Sequence, residues 1–340
     1  SLGGLWWVYR AGSLAGGRAT GTLAAALLAV SLSMIESAHS VKPDCLMFFF
    51  AAWSWWQAMA YLRLGGSHRL FLCAVGVGFS VSSQYTAAPM AVLVPVVWQA
   101  RRFRRCFEVD GQGVLAAALA LVPLAFLAGN PFALFDASAF YRDLRDGWAA
   151  YGAGHATAAG WRSFFNLMGF SAPWPLGAAA LSAGSVWLWR RRPAQAMCLR
   201  LPCAAVVLFV SRQVIGGNAR CLYGAFPAVA ILAALGVRAL LGGRSVWMQS
   251  AAWVLLLLPG AWSSWGYDRD LLLPDTRNLA AAWIGENLPV GTRILSDHES
   301  DSPRIAMSRD FALRLYERTR ASGHPRQRYY SLMASGHSGG

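Results

Sequence analysis

Glu36, His39, Lys42 and Asp44 fall within one short stretch of the 340-residue chain, with Pro43 between the last two. A carboxylate and an imidazole so placed can move protons or bind a sugar hydroxyl. A lysine beside a helix N-terminus is a good phosphate contact, because its charge and the free N–H groups attract the same anion. Lys42 is the only lysine; every other strong base is an arginine. Each residue also has a plainer reading. Pro43 suits the first turn of a helix, and Asp44 beside it can complement the helix dipole. Lys42 can snorkel at a membrane surface.

Three further groups carry polar chemistry. Ser82-Ser83-Gln84-Tyr85 interrupts an apolar region; these residues either satisfy a turn or project toward the same site. The stretch 130–171 holds Asn130, Asp136, Arg142, Asp143, Arg145, Asp146, Tyr151 and His155. It is long for a connection, and such loops tend to be functional. Within it Phe140, Leu144 and Trp148 recur every four residues, so 136–151 fits an amphipathic helix on a membrane surface. His155 follows Gly154 and reads equally as a solvated loop histidine. Arg212, Asn218 and Arg220 accompany Tyr223; an arginine entering an apolar span either finds a partner such as a lipid phosphate or snorkels. The six cysteines form no CxxC pair and have no histidine cluster, which disfavours zinc and suits small packing residues. No Walker loop, HExxH, GxSxG or dinucleotide fingerprint is present.

The elements that must position these residues are apolar. Hydrophobic residues make up 56% of the chain and charged residues 14%. So few charges cannot cover a water-soluble fold, and a bilayer removes that requirement. Spans are expected near 1–9, 19–36, 45–62, 69–83, 85–100, 113–129, 172–189, 200–211, 221–238 and 246–262. Gly-Gly pairs such as 16–17, 65–66 and 242–243 mark span ends. The net charge of +14 sits in arginine clusters between spans, which points to topology rather than nucleic acid. Alternate breaks hold fourteen basic residues on one side and six on the other. The positive-inside rule makes the first set cytoplasmic. It puts 36–44, the hairpin at 84, 130–171, 212–220 and everything after 263 on the extracytoplasmic face.

The expected fold is an α-helical polytopic membrane protein with a small C-terminal α/β extracytoplasmic domain. Residues 1–263 give about ten spans, the first partial because the chain opens inside an apolar run. Residues 264–340 give the small domain, incomplete at Gly340. There Asp275 caps a helix that Asn287 and Pro289 end, Thr292–Ser296 reads as a strand, and Ser308 opens a helix with Phe311 and Leu315 on one face.

The series of motifs resembles the GT-C glycosyltransferases that use polyprenyl-phosphate sugars. The branch is the bacterial one related to protein O-mannosyltransferases and lipid A aminoarabinose transferases. His39-Ser40-Val41-Lys42-Pro43-Asp44 opens an aromatic-rich span. Asn130-Pro131-Phe132 through Asp136 leads to Phe140-Tyr141-Arg142-Asp143 and then Tyr151-Gly152-Ala153-Gly154-His155. Ala219-Arg220 precedes Phe226-Pro227-Ala228, and Asp275-Thr276-Arg277 precedes Trp283 to Pro289. In order, these cover most of the chain. The resemblance implies a GT-C-like fold in the bacterial inner membrane, with inverting transfer of a sugar to a lipid, glycan or protein acceptor. It implies that Lys42 and Arg220 contact the donor phosphate, with His39, Asp44, Gln84, Tyr85, Tyr151, His155 and Arg212 around the pocket. It puts the catalytic base in a first outer loop, expected ahead of Ser1, so this stretch alone is expected to be inactive. No cofactor is required, and a divalent metal is an option. The implied partners are the polyprenyl-phosphate donor, membrane lipids and an acceptor, with no nucleic acid. Two positions depart from the family: Gln84 stands where a lysine commonly precedes the tyrosine, and Cys221 where a tyrosine often follows the arginine. A transporter or lipid flippase is the alternative, and a scaffold displaying the tail is a third.

Overall fold

A computed structural model of the chain describes residues 2–40, 42–103, 111–152, 174–211, 219–289, 292–294, 303, 309–321 and 327–335. The described residues are mostly helical, and no strand forms among them. Two compact units divide at Tyr267: Ser1–Tyr267 and Asp268–Gly340.

In the first unit the helices are α1 (Leu2–Gly16), α2 (Arg18–Ala29), α3 (Leu32–Ala38), α4 (Asp44–Leu64) and α5 (Ser67–Ser83). Then come a 3-10 segment (Tyr85–Val92), α6 (Leu93–Arg102), α7 (Gln112–Gly129), α8 (Phe132–Phe135) and α9 (Ala137–Gly152). After these stand α10 (Trp174–Arg191), α11 (Pro193–Ser211), a second 3-10 turn (Ala219–Leu222), α12 (Phe226–Leu241) and α13 (Val246–Leu271). The chain turns between α4 and α5 on Gly65 and Gly66, both at positive φ.

Three expected spans differ from what forms. The span over 19–36 is broken by a 63° bend between α2 and α3. Ser31 is extended at the break, and the hydroxyl of Ser264 donates to the Val30 carbonyl at 3.0 Å, satisfying an acceptor freed there. The span over 85–100 is a 3-10 segment followed by a short helix, because Pro89 and Pro95 donate no N–H to an α ladder. The span expected from 200 begins at Pro193 instead, since proline is tolerated in a first turn. Arg200 does not end that helix; its guanidinium lies 5.4 Å from the Trp189 ring centre.

Close helix crossings hold the bundle. A Cβ at Gly184 would overlap the Leu232 carbonyl, and one at Gly236 the Ala180 carbonyl. So α10 and α12 meet backbone to backbone, as small residues allow between membrane helices. The core beneath contains Phe48, Trp55, Tyr61, Tyr223 and Phe226, all fully buried.

The arginine-rich end of the bundle is stitched by guanidinium groups. Arg192 donates to the Ala15 carbonyl at 2.8 Å, and Arg101 to the Tyr61 carbonyl at 2.5 Å. Arg238 donates to the Gly16 carbonyl and to the Thr20 hydroxyl. These arginines complete the C-termini of α1 and α4, where the dipole favours a cation.

Among the described residues, two helical stretches, Gln112–Gly129 and Pro193–Val210, are long and apolar enough to cross a membrane; a third counts if α2 and α3 form one bent span. α7 buries only Ala118 and Ala125 in the protein, while Leu119 and Leu124 are 40% and 59% exposed. α13 likewise exposes Trp247, Leu255, Trp262 and Trp265. Apolar surface in such rows fits lipid rather than water.

In the second unit, Thr276–Asn287 starts where the Asp275 carboxylate accepts the Arg277 N–H at 2.9 Å. Helices Arg309–Ala321 and Gln327–Ser335 follow. The strand expected over Thr292–Ser296 does not form at 292–294, which are irregular; 295, 296 and Ser308 lie outside the described residues. No second strand stands among the described residues to complete a ladder, so the unit is helical where described, not α/β.

Candidate functional site

The broken α3 exists in this position because Tyr223 holds it. The phenol donates to the Ser33 carbonyl at 2.5 Å. Having one proton, it then accepts from the hydroxyls of Ser33 and Ser37, at 2.8 and 2.6 Å. One residue on, the Trp55 indole donates to the Gly224 carbonyl at 3.0 Å. The turn that carries Arg220 is thereby fixed to α3 on one side and α4 on the other. Ser33 and Ser37 were not singled out by the sequence reading; two serines four apart in an apolar span are the signal that marks them.

Replacing Tyr223 by Phe keeps the ring against Phe226, 4.7 Å away between centroids. It strands the Ser33 carbonyl and two hydroxyls. The variant is expected to lose about 1–3 kcal/mol of stability, read as a lower melting point by tryptophan fluorescence in detergent. An unchanged melting point contradicts the clamp.

Asp44 opens α4 ahead of the apolar run and is only 2% exposed. It lies in the first turn of α4, where its charge complements the helix dipole; Pro43 at the N-cap offers no side-chain hydrogen bond. Its Oδ2 is buried without a hydrogen-bond partner, and so is Nε of the half-buried Arg220. Burial raises the Asp44 carboxyl pKa above its ordinary value; the charges of Arg220 and Lys42 oppose the rise. Lys42 stands exposed in the turn before α4. The charge of Arg220 also bears on the neighbouring Cys221 side chain. A carboxyl with a raised folded pKa binds its proton more tightly in the native state than in the unfolded one. Its stabilising contribution is therefore complete at acid pH and lost as the pH rises through the raised value. Melting points measured across this range should fall toward neutral pH in the wild type, and Asp44→Asn should flatten the fall. Equal slopes in both proteins contradict it.

A second cluster sits beside the first. Tyr85, 42% exposed, accepts from the Asn130 amide at 3.0 Å. Its ring lies 6.1 Å from Phe126 and 6.0 Å from Phe140. The hairpin and α9 therefore converge, and the expected stripe residue Phe140 is packing against protein. Gln84 opens the 3-10 segment by accepting the Ala87 N–H at 3.0 Å, and its Oε1 is buried without a partner. The segment is tied to the start of α4, where the Thr86 hydroxyl donates to the Met47 sulfur at 3.9 Å. A Cβ at Gly224 would meet Met90 of this segment at 2.8 Å. The turns bearing Lys42–Asp44, Gln84–Tyr85 and Arg220 thus share one end of the bundle, opposite the arginine stitches.

His39 is exposed; its Nδ1 bonds the Ile35 carbonyl at 3.0 Å, and its ring lies 6.1 Å from Tyr267. That orients it toward α13. Tyr151 lies in the last turn of α9. His155 and Arg212 lie outside the described residues. Among the described residues, no three of the His, Cys, Asp and Glu side chains converge as metal ligands. No protein-family model matches the chain, and no curated protein matches it.

Proposed function

We propose that the chain belongs to a GT-C-type glycosyltransferase that moves a sugar from a polyprenyl-phosphate donor to a lipid, glycan or protein acceptor. The site faces the extracytoplasmic side of a bacterial inner membrane, with the arginine-stitched end in the cytoplasm and the Asp268–Gly340 unit outside. The observation that carries this reading is the unpaired, buried polar set at the other end: Asp44 Oδ2, Gln84 Oε1 and Arg220 Nε. Buried polar atoms are satisfied in finished folds, so three open ones around a membrane-level turn call for a polar ligand. Two cations against one carboxylate leave a net positive site, which suits a phosphate.

The chemistry follows from that charge. Cleavage of the sugar–phosphate bond leaves negative charge on the lipid phosphate as the acceptor oxygen or nitrogen attacks. Lys42 and Arg220 stabilise that charge, and Arg220 supplies a fork of donors that a lysine lacks. Asp44 sits under the charge of Arg220, and its open Oδ2, an acceptor, suits a hydroxyl of the sugar rather than the phosphate. The base that takes the acceptor proton is assigned to none of the described residues.

A lipid flippase is the second reading, favoured by the broken helices α2–α3 and Tyr85–Arg102 beside the site. Discontinuous spans at a mid-bundle site are typical of transporters. The two readings separate in membranes from cells expressing the wild-type gene, given polyprenyl-phosphate sugars labelled in the sugar. Label appearing in a non-prenyl product supports transfer. Label that stays on the prenyl donor but changes leaflet supports the flippase and overturns the transferase.

A further inference from the structure

A cavity of about 330 Å³ opens at the arginine-stitched end, the end of the bundle opposite the site above. Phe103, Arg191, Arg192, Pro193, Gln195 and Met197 line it. Three features there attract the same kind of group. α11 begins at Pro193, which has no N–H, and the Arg192 carbonyl takes the Ala196 N–H at 3.0 Å; the N–H groups of Ala194 and Gln195 have no intrahelical acceptor and carry the positive end of the dipole. Two guanidinium groups stand immediately before it; Arg192 spends one N–H on the Ala15 carbonyl, and Arg191 rests 5.8 Å from the Trp187 ring centre. Gln195 is 2% exposed, and neither its Nε2 nor its Oε1 has a hydrogen-bond partner. An amide buried with both ends open is costly unless something joins it.

We infer that this cavity is a second anion site, built for a phosphate group, distinct from the donor site at the other end. The helix N-terminus and Arg191 take the charge, the Gln195 amide donates one hydrogen bond, and Phe103 and Met197 give an apolar wall. That wall suits the glycerol end of an anionic phospholipid; a free phosphate would use the same polar groups.

The test measures the melting point of the full chain in phosphatidylcholine nanodiscs as phosphatidylglycerol is added, and in detergent as inorganic phosphate is added. A ligand that binds the native state raises the melting point by mass action. A rise with phosphatidylglycerol alone identifies a headgroup site, and a rise with inorganic phosphate identifies a free-phosphate site. Gln195→Leu removes the open amide, so its melting point without anion should equal or exceed that of the wild type. Its half-saturating anion concentration should rise about tenfold or more, the loss of one hydrogen bond to a charged group. Arg191→Gln should weaken the anion effect similarly. Arg244→Gln, at the same end but outside the cavity, should leave it in place. The inference is overturned if neither anion stabilises the wild type, or if both cavity variants keep wild-type half-saturation. It is overturned equally if Arg244→Gln weakens the effect as much as Arg191→Gln, since the attraction then belongs to the whole basic rim.

Discussion

Arg220→Ala is expected to lower sugar transfer by about 10²–10³-fold, the usual cost of removing one preorganised donor from a developing oxyanion. The protein should still reach the membrane in wild-type amount, because Arg220 sits in a turn held by Tyr223 and Trp55, not by itself. Its loss also leaves Asp44 without its larger opposing charge, so the carboxyl pKa moves further up. Protonation then relieves the buried carboxylate, and the stability penalty stays small beside the loss of turnover. Arg220→Lys should recover part of the rate, since it returns the charge but not the fork. Lys42→Ala should follow Arg220→Ala in direction. Assays on matched membrane preparations decide it; wild-type turnover by Arg220→Ala and Lys42→Ala alike ends the phosphate assignment.

Gly236→Leu is expected to leave no folded bundle. The first added carbon already collides with the Ala180 carbonyl, and backbone cannot give way as a flexible side chain can. Ordinary overpacking costs about 1–3 kcal/mol; a leucine here must separate α10 from α12 along the whole crossing. α12 is buried along nearly its entire length, so the separation opens the core at Ile231, Leu232 and Leu235. Size exclusion in mild detergent should show aggregated Gly236→Leu and monodisperse wild type. A monodisperse variant with the wild-type melting point contradicts the close crossing. Gly266→Leu, with open space around its Cβ, is the matched control and should behave as wild type.

Much of the helical frame was legible because apolar runs and their interruptions report directly on helix ends. Gly17, Gly65, Gly66 and Gly243 take positive φ at the glycine pairs that mark those ends. Ala137–Gly152 forms where four-residue spacing put an amphipathic helix, and Asp275 caps as a capping aspartate should. The breaks were less legible. Ser31 lies between two apolar stretches, so hydropathy passes over it unchanged while the backbone bends 63°. What holds the break is long-range: the Ser264 hydroxyl, about 230 residues away in sequence, takes the freed Val30 carbonyl, and the Tyr223 phenol, about 190 residues away, holds α3 at Ser33. The arginines were read as a topological signal, and charge counting cannot reveal that Arg101, Arg192 and Arg238 terminate particular helices. At the site, local sequence grouped Lys42 with Asp44 but offered two roles for each. Only tertiary structure shows Asp44 buried and under the field of Arg220, from a turn more than 170 residues on.

The most direct measurement is equilibrium binding of a polyprenyl phosphate to this chain in neutral-lipid nanodiscs, with the matching polyprenol as control. Tryptophan fluorescence reads it, since Trp55 lies against the turn that carries the cations. The account predicts saturable binding of the phosphate, at least tenfold weaker binding of the alcohol, and a loss of that preference in the Lys42→Ala/Arg220→Ala variant. Equal binding of phosphate and alcohol, or an unchanged preference in the double variant, would contradict it.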